Sequence, residues 1–144
     1  MKILSENRRA YFDYEILEKF EAGIELLGPE VKSAKLGKFH IAGARVLPYN
    51  NELWLVGAKI EPYQKNNILN YDPERNKKLL LNKSEIKYLI GKAGQKFILI
   101  PLSVYLKNNL IKVLIGIAKT RKKQDKRELI KKREAKRKIK EEYK

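Results

Sequence analysis

The chain has 144 residues, about one domain's worth, and 43% of them are apolar, which suffices for one packed core and argues against a second independent domain. It contains no cysteine, so disulfide frameworks and thiolate metal sites are excluded. Its 33 lysines and arginines against 17 aspartates and glutamates give a net charge of +16, an excess that points to a polyanionic partner, nucleic acid first.

Met1 to Arg9 is polar with no apolar run behind it, which reads against a signal peptide. From about Ala10 to Leu26 a loose alternation places Tyr14, Ile16 and Phe20 on one parity, then Ala22, Ile24 and Leu26 after the turn-prone region of Glu21; two strands are expected here. Gly28-Pro29 with Glu30 in the first turn predicts a short helix over Glu30 to Lys35, stopped by Gly37. Two strands follow, Ala42 to Tyr49 and Glu52 to Ile60, joined at Asn50-Asn51, a dipeptide that tolerates the positive φ of tight hairpins. Glu61 to about Lys78 is polar and rich in Asn and Pro, and is expected to be a functional or mobile loop.

Asn82 can cap a second helix, with Glu85 three residues on and Leu81 placed to staple onto Ile86. Its inner stripe is Ile86, Leu89, Ile90 and Ala93. Phe97 to Lys107 and Leu110 to Ala118 read as two more strands around Asn108-Asn109, the second alternating Ile111, Val113, Ile115 and Ile117 against Lys112, Leu114 and Gly116. The stretch from Leu110 is the longest apolar one, yet Lys112 breaks it and it is far short of the roughly 20 residues that span a bilayer, so no membrane partner is expected. About six antiparallel strands with little helix to cover them solve their edge problem by curling. The expected fold is therefore mainly β: a small, closed, OB-like antiparallel barrel with two or three short accessory helices.

Residues 119–144 carry 14 basic and 5 acidic side chains, a net +9 that leaves +7 for the 118 residues before them. Apolar residues there are too sparse for a buried stripe, so 1–118 is expected to be the body and 119–144 a basic tail. Asp125 with Glu128 makes a capping-box pattern, and Glu128 with Lys132 and Glu134 with Lys138 are favourable i,i+4 pairs. The tail is expected to be disordered or frayed when free and helical on an anionic surface. The competing reading is a solvated charge run that serves solubility.

Catalytic chemistry finds little support. His40 is the single histidine, and nothing around Ser5, Ser33, Ser84 or Ser103 forms a nucleophile elbow, so a polar surface role is preferred for it. Asp13, Glu15, Glu18 and Glu21 could hold a metal, as in a nuclease, but such a run is more often the solvent face of a strand. Gly91-Lys92-Ala93-Gly94 matches the GXXG of KH domains, though a strand follows rather than a helix, which favours a helix end. Trp54, Tyr49 and Tyr63 could stack bases, but in a small barrel Trp54 is expected in the core.

Several motifs together resemble one family along nearly the whole chain. They are Asn7-Arg8-Arg9-Ala10 with Asp13-Tyr14, Glu21-Ala22-Gly23-Ile24, Gly28-Pro29-Glu30-Val31-Lys32-Ser33, Gly37-Lys38 and Glu52-Leu53-Trp54-Leu55. Asp72-Pro73-Glu74-Arg75, Lys78-Leu79-Leu80-Leu81, Glu85-Ile86, Pro101-Leu102 with Tyr105, and Lys122 with Asp125-Lys126-Arg127 continue the pattern. Each is weak alone, and jointly they are specific. The sequence resembles the SmpB family, the SsrA-binding proteins of bacterial trans-translation.

From the residues the chain is expected to be a cytoplasmic, monomeric RNA-binding protein, not an enzyme and without cofactor or metal. The resemblance implies an OB-like barrel that grips the tRNA-like part of transfer-messenger RNA and delivers it to stalled ribosomes, where the tail becomes a helix in the empty messenger channel near the decoding centre. Carried over by motif, Glu30, Lys32, Ser33, Lys35, Lys38, Arg75, Lys77 and Lys78 are candidates for the transfer-messenger RNA face. Lys119, Arg121, Lys122, Asp125, Lys126, Arg127, Lys131 and Arg133 are candidates for the decoding centre and tail. Two departures stand out: Thr120 follows Lys119 where the family has glycine, and Gln124 stands where the family commonly has Tyr or His. A ribosomal or assembly protein binding ribosomal RNA shares the charge, size and tail, and is the alternative.

Overall fold

The computed structural model describes residues 1–63 and 71–142, with side chains described except at 123–125 and 136–142. The 64–70 part of the polar stretch, Tyr143 and the side chains of Asp125, Lys138 and Ile139 thus lie outside the described residues. In chain order the elements are β1 (Lys2–Glu6), α1 (Arg8–Asp13), β2 (Tyr14–Ile24), α2 (Gly28–Lys35), β3 (Phe39–His40), β4 (Arg45–Tyr49) and β5 (Glu52–Val56). There follow β6 (Lys59–Ile60), β7 (Lys77–Leu80), α3 (Lys83–Ala93), β8 (Ile98–Lys107), β9 (Leu110–Thr120) and α4 (Lys123–Glu142).

The expected closed barrel does not form. Seven strands make one open antiparallel sheet in the order β1-β8-β9-β2-β7-β5-β4, and β3 pairs only with β6. β4 comes close to β8, but no ladder joins the two. Both free edges are poor templates for closure. β1 carries Lys2 and Glu6 and a register break between Ile3 and Ser5, while β4 contains Pro48, which has no N–H to donate. Alternation in sequence shows which side chains face inward; it carries no information on whether the outer strands meet.

Local signals place the hairpins and helices well. Asn50 and Asn51 have φ of 54° and 59°, and Asn108 and Asn109 have 52° and 63°, the left-handed pair that a two-residue turn between twisted strands requires. Asn82 caps α3, its side-chain oxygen accepting from the Glu85 N–H at 2.9 Å. Gly94 ends the same helix, its N–H bonded to Ile90 O at 3.1 Å, so the GXXG sequence is a helix terminus.

Other expectations need revision. Ala10 to Leu26 holds not two strands but α1 and then the single strand β2, whose pairing with β9 is offset between Ile16 and Glu18. That bulge inserts Leu17, which is half exposed, so Tyr14 and Ile16 before it pack in one apolar cluster while Phe20, Ala22 and Ile24 after it pack in the main one. The strand expected over Glu52 to Ile60 is cut by Gly57 at φ 82° into β5 and β6. β1 and β7 were not expected, and the first lies in the polar start while the second ends the polar stretch.

The main core fills one face of the sheet with Leu53, Leu55, Leu79, Leu99, Val104, Val113, Ile115 and Ile117, closed over by Ala34 of α2, Leu89 of α3 and the small sheet's Phe39 and Ile60. A second cluster, Ala10, Ile100, Leu102 and Ala118, lies with Tyr14 and Ile16 beneath α1. Asn7 fixes that helix in place. It is buried, its N–H bonds Leu102 O at 2.9 Å, and its side-chain amide donates to Pro101 O at 3.2 Å, satisfying carbonyls at the register break in β8. Gly116 allows Leu102 to pack down, since a Cβ there would stand 2.9 Å from Leu102 Cδ1 and 3.3 Å from Ile16 Cγ2. Gly116→Ala is expected to destabilise the fold by about 1–3 kcal/mol through overpacking, measured by urea unfolding.

Candidate nucleic-acid interface

The body presents its candidate cations from α2 and from the segment leading into β7. Proline at its start and Glu30 in its first turn fix α2, the Leu27 N–H donating to Glu30 Oε1 at 2.8 Å. Lys32 and Lys35, one turn apart, are exposed on this helix, and Lys38 follows it half-buried. Lys32 lies 5.4 Å from the centre of the Tyr63 ring, close enough for a cation–π contact that holds the ammonium at the surface.

Three of the eight residues expected on this face are interior. Glu30 is 1% exposed, and Ser33 and Lys77 are fully buried. Glu30 Oε1 also takes a short, charge-assisted hydrogen bond from the Arg75 guanidinium, which is itself a third exposed. Lys77 Nζ donates to Arg75 O at 2.6 Å. Burial pushes the Lys77 ammonium below lysine's ordinary range, and the nearby Glu30 carboxylate works against that shift. Glu30 and Lys77 therefore support Arg75 from beneath; the groups that solvent or a ligand meets are Lys32, Lys35, Lys38, Arg75 and Lys78. Lys78, half-buried, pairs with Glu52 at 2.9 Å, and that hydrogen bond raises its pKa.

The second set of candidates gathers where β9 passes into α4. Lys119 is exposed near the end of β9. The Arg121 N–H bonds Asp13 O at 3.1 Å and its guanidinium donates to Tyr14 O at 3.2 Å. Lys122 and Arg127 are exposed, as are Lys131 and Arg133 further along α4. Asp13 receives both Arg9 and Lys126 at 3.3 Å. Its modest desolvation alone would raise the carboxyl, but hydrogen bonds from Lys126 and Arg9 outweigh this and hold it below the usual aspartate range. The Phe12 ring meets three cations, Arg9 at 5.6 Å, Lys126 at 5.8 Å and Arg133 at 5.6 Å. α1, which sequence reasoning missed, is thus the seat of the tail helix. The helix starts at Lys123, two residues before the expected Asp125 cap.

The acidic run has other employment than a metal. Glu18 accepts from Tyr88 and Glu21 from Tyr105 and Lys107, and no metal-sized acidic cluster occurs among the described residues. His40 sits at the surface, 3.7 Å from Glu61. No helix among the described residues is long and apolar enough to cross a membrane. Trp54 reverses expectation: Leu53 and Leu55 take the core, so the indole lies on the outward face of β5, half-buried. The parity of Leu53 and Leu55 carried that signal.

Residues 4–144 match the family described as "SmpB protein". The "SsrA-binding protein" of Carboxydothermus hydrogenoformans is 48% identical over 139 residues, covering 96% of this chain and 93% of its own. That of Caldicellulosiruptor saccharolyticus is 50% identical, covering 94% and 86%. A solved structure described as "tmRNA-SmpB: a journey to the center of the bacterial ribosome" contains a chain similar at a TM-score of 0.68 and 44% identity, over 87% of this chain and 92% of that one.

Because Glu30 is buried against a guanidinium, Glu30→Ala is expected to lower stability by about 3 kcal/mol. Glu30→Gln, which retains an acceptor for the Leu27 N–H, should lower it less; urea unfolding at neutral pH measures both.

Proposed function

This chain belongs to the SmpB family, and from that premise we propose that it binds the tRNA-like part of transfer-messenger RNA and delivers it to stalled ribosomes for tagging of incomplete peptides. The observation that carries the proposal is the match to proteins named for SsrA binding at close to half identity along almost the whole chain. The arrangement of charge supports it, since the body and the tail offer two separate cationic surfaces.

On the body, Lys32, Lys35, Lys38, Arg75 and Lys78 serve as phosphate contacts spaced for the backbone of a folded RNA. Such contacts position an RNA without reading its sequence. Glu30, Ser33 and Lys77 belong to the same face as its interior support. On the tail, Lys119, Arg121, Lys122, Lys126, Arg127, Lys131 and Arg133, with Asp125 in the same segment, serve the decoding centre and the messenger channel. A cationic helix competing with messenger for one cavity senses that the cavity is empty, so selectivity needs no base readout. The protein works by binding alone, as a cytoplasmic monomer, and breaks no bond.

Truncation after Lys122 keeps β9 whole and is expected to preserve most of the affinity for isolated tRNA-like RNA while abolishing tagging on stalled ribosomes. Loss of RNA affinity on truncation would count against this division of labour. Lys35→Ala on the full chain should lower the slope of log affinity against log salt by about one unit, as expected for one lost phosphate contact. A ribosomal RNA-binding constituent would instead stay on subunits through a high-salt wash.

A further inference from the structure

We infer that the outward face of β4 and β5 is a stacking platform for an unpaired nucleobase, with Trp54 as its floor. The inference rests on the RNA-binding reading of the neighbouring basic surface and adds a subsite to it. Period-2 alternation in β5 sends Leu53 and Leu55 into the core and leaves Glu52, Trp54 and Val56 facing out. Across the ladders Trp54 stands between Leu47 of β4 and Lys78 of β7. Leu47, Pro48, Tyr49, Trp54, Val56 and Asn76 line an open hollow of about 410 Å³.

The hollow is unusual for an outer face. Leu47 is 47% and Tyr49 69% exposed, on a chain with a net charge of +16 and every opportunity to place polar side chains there. The indole is also held in place: its N–H donates to Tyr49 O at 3.3 Å, which ties the ring to the hairpin and leaves its π-face as the interacting surface.

Cations and one amide surround this apolar floor. Lys78 is fixed at one edge by Glu52, and Asn76 lies between Arg75 and the buried Lys77. Arg45 stands opposite Val56, held over the Tyr14 ring at 5.4 Å with its guanidinium donating to the Tyr14 hydroxyl at 2.7 Å. A flat apolar surface with an amide at its margin and fixed positive charge around it suits one chemistry well, a base with its phosphates attached. A second copy of this chain is disfavoured, because two molecules of this charge repel. The platform is continuous with the proposed phosphate contacts through Asn76, so an RNA lying on Arg75 and Lys78 brings its unstacked bases to Trp54.

Trp54 is the only tryptophan of the chain, so its fluorescence reports this hollow alone. Titration with the tRNA-like RNA and with a short unpaired purine oligonucleotide should quench it, whereas a fully paired RNA helix of similar phosphate count should bind with little quenching. Trp54→Ala should weaken binding of the first two probes by roughly ten- to a hundredfold with an unchanged salt slope, because stacking releases no counterions. Trp54→Phe should restore most of it. Tyr49→Ser alters an exposed side chain away from the core and should weaken binding in the same salt-independent way, which keeps the test valid if Trp54→Ala unfolds. Tight binding of tRNA-like RNA with no change in tryptophan emission, and with affinity indifferent to Trp54→Ala and Tyr49→Ser, would overturn the platform and leave the proposed function standing. Quenching by the oligonucleotide without binding of tRNA-like RNA would do the reverse. Self-association that Tyr49→Ser abolishes would also overturn it, assigning the hollow to a second copy.

Discussion

The buried carboxylate of Glu30 joins two stretches of chain that are far apart in sequence. It caps the start of α2 through the Leu27 N–H, it receives the guanidinium of Arg75, and its charge lies close to the ammonium of Lys77. A carboxylate in this position tolerates burial because both partners that share it are donors, one of them charged. The consequence for the surface is geometric. Arg75, on the stretch that leads into β7, is pinned beside the helix that carries Lys32 and Lys35, so cations from two different parts of the chain become one face. Without an internal anion, the buried Lys77 ammonium and the Arg75 guanidinium would repel one another with less to offset it.

This explains why the face was only partly legible in the sequence. Lys32, Lys35 and Lys38 could be read as a cationic set because they lie on one short helix and its exit. Lys77 and Glu30 look like surface residues by type, and only the fold reveals that they are inside. The same limit applies to β7, where Lys77-Lys78 reads as polar loop until the buried pairing accounts for the first lysine. Hairpins and α3 were legible because their determinants are local: paired asparagines at positive φ, and Asn82 three residues before Glu85. β1 and α1 depend on Asn7 reaching carbonyls of Pro101 and Leu102 more than ninety residues away, and no window of sequence contains that information.

The failure of the barrel expectation has a similar origin. Apolar alternation in β2 and β9 was readable, yet closure depends on whether the two outermost strands can form a ladder. Pro48 on one edge and the register break on the other oppose it. The open edge strand β4 then displays an outer face, and Trp54, expected in the core of a small barrel, belongs to that face by parity.

The seat of α4 on α1 has a mechanical corollary. Phe12 and Asp13 grip the first half of the helix through Lys126 and Arg133, while Arg121 is tied to the end of α1 and the start of β2. The 20 residues of α4 form a rod roughly 30 Å long, held along its first half, so that about 14 Å projects beyond Arg133. Such a cantilever differs from a tether: a tilt of about ten degrees at the clamp sweeps the far end through roughly 2 Å. Loosening two ring contacts and one ion pair therefore steers the distant tip without unwinding a single helical turn.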